Sequence, residues 1–108
     1  MPEEPAEAGP YSIGNSQWPG LSRVTEEAGE LLQVVGKIIG AGGNAAHWDG
    51  TDLRQRLVKE IADVQGALLY LIETNDLPAE TIAVRCHRKL GQYRRWHEQA
   101  TGIWRGSL

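Results

Sequence analysis

Apolar residues recur at three- and four-residue spacing in three separate stretches of this 108-residue chain, and no segment alternates with a period of two. That pattern disfavours strands and predicts an all-α fold. The first helix is expected over about Pro19 to Ile39, with a stripe of Leu21, Val24, Ala28, Leu31, Leu32, Val35, Ile38 and Ile39. Pro19 suits a first turn, and Gly40-Ala41-Gly42-Gly43 is a stop. The second is expected over about Asp52 to Thr74, capped by Thr51 or Asp52, with Leu53, Leu57, Ile61, Val64, Leu68, Leu71 and Ile72 inward. Asn75-Asp76 breaks the chain, and Pro78 can open a third helix to about His97 with Ala79, Ile82, Cys86, Leu90 and Tyr93 on its apolar side.

The flanks read differently. Residues 1–15 are rich in Pro, Glu and Gly and are expected to form a disordered tail. Residues 16–97 form one helical domain, and residues 98–108 a C-terminal tail in which Ile103 and Trp104 can dock. A domain of about 80 residues buries only about 60% of its unfolded surface. The expected architecture is therefore a bundle of three to four helices completed by homo-oligomerisation, as a homodimer or homotetramer. No apolar run reaches the roughly 18 residues of a membrane span. The N-terminus lacks the basic-then-apolar order of a secretion signal, so a cytoplasmic location is expected. A single Cys86, read as a small core residue, excludes a disulfide framework and a Cys-rich zinc site. A net charge of −3 provides no global field for a DNA or RNA polymer.

The sharpest feature is a repeated spacing of acids. Glu27-x-x-Glu30 lies on the first predicted helix and Glu60-x-x-Asp63 on the second. Residues three apart sit one turn along a helix and about 60° apart around it. Measured from the centre of its own apolar stripe, Glu27 lies about 85° and Glu30 about 145° to one side. Glu60 and Asp63 lie about 75° and 135° to the same side of theirs. Packed side by side and antiparallel, the helices can turn the two pairs toward one groove, while Glu26 points to water. Four unpaired carboxylates repel, but with Mg²⁺ or Mn²⁺ they form a hard oxygen site that leaves positions for water and phosphate oxygens. The structural alternative is an ion-pair network with Lys37, Arg56 and Lys59.

Bases gather elsewhere. Arg85, Arg88, Lys89, Arg94 and Arg95 follow one another on the third predicted helix with no acid among them. Arg85 and Lys89, together with Lys37 on the acidic side of the first helix, are candidate phosphate contacts. Their bland reading is a solvated or oligomer-contact face. Trp18 and Trp48 are candidate nucleobase-stacking residues, against core or interface packing. His47, His87 and His97 lack metal-ligand spacing among themselves.

Glu26-Glu27-Ala28-Gly29-Glu30-Leu31, a glycine-containing loop and Glu60-Ile61-Ala62-Asp63-Val64 together resemble the MazG-like all-α nucleoside triphosphate pyrophosphohydrolases. The resemblance extends over roughly residues 17–97. His47-Trp48-Asp49-Gly50 and Arg94-Arg95-Trp96-His97 look like a subgroup of small single-domain members. It implies that Glu27, Glu30, Glu60 and Asp63 bind Mg²⁺, and that the fold is completed by dimer or tetramer formation. It implies hydrolysis of an NTP or dNTP to monophosphate and pyrophosphate by water attack at the α-phosphorus. A glutamate among the four can also act as general base, with Glu27 and Glu30 the candidates. Lys89 matches the family's Lys-x-x-Lys-Asn run, but Gln92 and Tyr93 stand where the second Lys and the Asn would be. Two other readings share these features: phosphoribosyl-ATP hydrolysis, and a non-catalytic helical oligomer that binds nucleotides or a protein partner.

Overall fold

A computed structural model of the chain describes residues 17–44, 50 and 52–102. Its regular elements are three helices, α1 (Leu21–Gly40), α2 (Leu53–Thr74) and α3 (Ala79–Thr101). The first of two compact units, Met1–Leu77, holds α1 and α2, and the second, Pro78–Leu108, holds α3. The expected tail at 1–15, the residues His47 and Trp48, the alternative cap Thr51, and the docking residues Ile103 and Trp104 lie outside the described residues.

The ends of the helices follow from local chemistry. Pro19 precedes α1 rather than opening it, and the N-cap is Gly20 at φ 101°. A Cβ at Gly20 would stand 3.1 Å from Tyr70 Cδ2 and 3.4 Å from Leu71 Cα, so glycine is needed for both the turn and the close approach to α2. At the other end of α1, the N–H groups of Gly42 and Gly43 donate to the carbonyls of Ile39 and Ile38. The Asp52 carboxylate accepts from the Gln55 N–H at 3.1 Å and caps α2. Asp76, at φ 51°, turns the chain out of α2.

α1 and α2 form an antiparallel hairpin. Asn75 Nδ2, just past the end of α2, donates to the Pro19 carbonyl and to the Leu71 carbonyl, both at 2.9 Å. This pins the start of α1 to the end of α2. Among the described residues the buried apolar side chains are Val34, Leu53 and Ala67, and the buried charged one is Glu60.

That set differs from the expected stripes. Val34 and Ala67 belong to neither stripe, whereas the stripe residues Leu21, Leu32, Ile39, Ile61 and Leu68 are exposed, Leu32 by 69% and Ile39 by 72%. On a helical wheel the contact face of each helix is rotated about 70° from the centre of its stripe, toward the acids. The physical reason is width. A two-helix contact uses one narrow row of side chains per helix, whereas these stripes are wide enough to face two neighbours. The hairpin thus has an acidic edge and an apolar back.

α3 is amphipathic but buries no residue. Cys86, expected in a core, is exposed, as are Ile82, Leu90 and Tyr93. The helix continues past the expected boundary at His97 to Thr101, where Thr101 Oγ1 donates to the His97 carbonyl at 2.7 Å and Gly102 at φ 72° ends it. Among the described residues no helix is long and apolar enough to cross a membrane.

Asp52→Ala leaves α2 without its side-chain cap. It should lower stability by about 1 kcal/mol in chemical denaturation, while Asp52→Asn should stay within a few tenths of the parent.

Candidate metal centre

The antiparallel pairing of α1 and α2 brings the two acid-x-x-acid pairs together. Each of Glu27, Glu30, Glu60 and Asp63 offers a carboxylate oxygen, and these four oxygens all lie within 4.8 Å of one another. The positions differ in depth. Glu60 is only 4% exposed and occupies the middle of the helix contact, whereas Glu27, Glu30 and Asp63 are half-buried around it. The stripe geometry put Glu60 on the flank of α2. The rotation of the contact face toward the acids instead carries it to the centre.

Electrostatics in the cluster is strained in a specific way. Partial burial, followed by the neighbouring charges of Glu30, Asp63, Glu60 and Glu26, pushes the Glu27 carboxyl above its ordinary range. Burial also raises Glu30, and a hydrogen bond with the Glu60 side chain adds to the shift. A hydrogen bond between two carboxyl groups needs a proton on one of them. Lys59 partly offsets the charge. Its Nζ donates to Asp63 Oδ2 at 2.9 Å and to Glu60 Oε1 at 3.4 Å. The hydrogen bond to Asp63 is the main reason its ammonium is held above the usual lysine range. Of the proposed ion-pair network, this Lys59 bridge is present. It leaves Glu27 Oε2 and Glu60 Oε2 buried without a hydrogen-bond partner.

A hard divalent cation fits this donor set. All four donors are carboxylate oxygens, the ligand type that Mg²⁺ and Mn²⁺ take. Opposite ligands of an octahedral Mg²⁺ stand about 4.2 Å apart, close to the span already present. The two unpartnered buried oxygens are the groups a cation would satisfy. Carboxylates this close are held together at a cost that a bound cation removes.

The remaining candidate residues are placed as follows. Glu26 is exposed and ion-paired to Arg23. Lys37 is exposed in the last turn of α1, and Trp18 is exposed just before that helix. Arg85 and Lys89 line a groove on one side of α3 with Arg88, Gln92 and Arg95. Arg23 and Tyr70 are brought beside the acids, in a groove shared with Glu27 and Asp63. Neither was singled out from the sequence, although Arg23 lies one turn before Glu27, a spacing that places it on the same side of α1. Compared with protein-family models, with curated proteins and with solved structures, the chain gives no significant match.

The raised Glu27 and Glu30 values fix the sign of a pH effect. A carboxyl raised on folding contributes stability that is present below its unfolded pKa, about 4.3, and lost as pH rises through the folded value. In chelator, Glu27→Gln should therefore gain thermal stability relative to the parent as pH is raised from about 4 to 8. Saturating Mg²⁺ at pH 8 should raise the melting temperature of the parent but not that of Glu60→Gln. A parent and a Glu27→Gln variant with parallel melting-temperature profiles would show that the cluster carries no such repulsion.

Proposed function

We propose that the chain is a Mg²⁺-dependent nucleoside triphosphate pyrophosphohydrolase, acting on an NTP or dNTP to release the monophosphate and pyrophosphate. The observation that carries this reading is the convergence of Glu27, Glu30, Glu60 and Asp63 from two helices on one small volume. The MazG-like order of these acids along the chain supports it. A helix bundle with a purely structural role has no need of four carboxylates at the contact between α1 and α2.

The division of labour follows from the positions. Glu60, buried and bridged by Lys59, anchors the cluster, with Asp63 one turn further along α2. Mg²⁺ or Mn²⁺ bound there would neutralise triphosphate charge and acidify water. Glu27 and Glu30, half-buried on α1, are the candidates to take the proton from the water that attacks the α-phosphorus. The bond from that phosphorus to the bridging oxygen breaks, and pyrophosphate leaves with the electron pair. Arg85, Lys89 and Lys37 are the proposed phosphate contacts, and Trp18 and Trp48 the proposed stacking residues.

The exposed apolar back of the hairpin, with Leu21, Leu32, Ile39, Ile61 and Leu68, favours an oligomer in which these side chains are covered. A homodimer or homotetramer built on this face is part of the same proposal.

Two measurements test the activity. Purified protein with Mg²⁺ should release pyrophosphate from at least one member of a panel of NTPs and dNTPs. Glu30→Gln and Asp63→Asn should each lower kcat by about 100-fold or more with helicity unchanged. Thermal stabilisation by nucleotides with no turnover would instead support the non-catalytic binding module.

A further inference from the structure

The acid cluster opens into a groove of about 390 Å³ along one side of the hairpin. Its walls are Arg23 and Glu27 of α1 and Ala62, Asp63, Gly66, Ala67 and Tyr70 of α2. Glu27 and Asp63 therefore belong both to the cluster and to the groove. From Asp63 to Tyr70 the helix rises about 10 Å, so Tyr70 closes the end remote from the acids.

Four features of this groove suit a flat, partly polar group. Ala62, Gly66 and Ala67 keep its floor low. A Cβ built on Gly66 meets nothing within 4 Å, so no packing within the hairpin demands glycine there, although glycine inside a helix is less favourable than alanine. A Cβ added at Gly20 would stand 3.1 Å from Tyr70 Cδ2, so the start of α1 lies close against the ring and supports it as a platform. Finally, Arg23 Nε is buried without a hydrogen-bond partner, leaving one donor in the wall.

We propose that this groove holds the nucleoside end of the substrate. The heterocycle lies against Tyr70, the sugar lies over Ala62, Gly66 and Ala67, and Arg23 Nε donates to an acceptor on the nucleoside. This rests on the pyrophosphohydrolase reading, which places the α-phosphate at the acids. It makes Gly66 the residue that keeps the subsite open, and Tyr70 the residue that separates nucleotides from simple polyphosphates. It adds to the proposed stacking residues a tyrosine contributed by α2.

Gly66→Leu in the full chain fills the groove while leaving all four acids in place. It should raise KM for the best nucleoside triphosphate at least about tenfold, with kcat within about threefold and Mn²⁺ affinity by calorimetry unchanged. Tyr70→Leu, which keeps bulk against Gly20, should raise KM similarly, and Tyr70→Phe should restore it. A second arm needs no turnover. AMP, GMP, CMP and UMP with Mg²⁺ should shift the amide resonances of Gly66, Ala67 and Tyr70, and inorganic phosphate with Mg²⁺ should not. Turnover by the parent with an unchanged KM in Gly66→Leu overturns the subsite and leaves the activity standing. Nucleotide-specific shifts without turnover retain the subsite and overturn the activity. Absence of both removes the two together.

Discussion

Glu60 is the constraint on which the hairpin turns. A carboxylate that is 4% exposed at a helix–helix contact loses most of its hydration, which for an unpaired ion costs several kcal/mol even after relaxation. Three more carboxyl groups surround it, each adding repulsion. The Lys59 bridge to Glu60 and Asp63 offsets part of this charge, and burial with the neighbouring acids pushes the Glu27 and Glu30 carboxyls above their ordinary range. Neither satisfies Glu27 Oε2 or Glu60 Oε2. A cluster arranged in this way offers a cation four carboxylate oxygens within 4.8 Å of one another.

The same rotation that buries Glu60 explains the sparse core. With the contact face turned toward the acids, Val34 and Leu53 are the apolar side chains fully buried among the described residues, and larger side chains such as Leu32 and Ile39 remain outside. At about 25 cal/mol per Å² of apolar surface, that exposed back represents stabilisation the hairpin leaves unused. α3 has no buried residue, and its Ile82, Val84, Leu90 and Tyr93 are exposed. Site formation and core formation thus draw on adjacent faces of the same two helices, and the acids occupy the better-packed one.

Much of this was legible in the residues. The three helices, the break at Asn75-Asp76, the Asp52 cap and the convergence of Glu27-x-x-Glu30 with Glu60-x-x-Asp63 all follow from spacing of 3.6 residues per turn and from short-range capping chemistry. The ends were less legible. The first turn of α1 moved past Pro19 because Gly20 supplies a left-handed turn against Tyr70, and α3 ran on to Thr101 because a polar helix end has no local stop before Gly102. Cys86 was misread because a stripe position implies a core only where another element covers it.

What the chain determined by itself was local: which segments are helical, and which acids share a face. These depend on residues three and four apart and need no partner. The depth of Glu60, the exposure of Leu32 and Ile39, and the groove of Arg23, Gly66 and Tyr70 were decided only by the tertiary structure. Each depends on the rotation of α1 and α2 about their own axes. That rotation is set by the summed packing of both helices, which no single apolar stripe records.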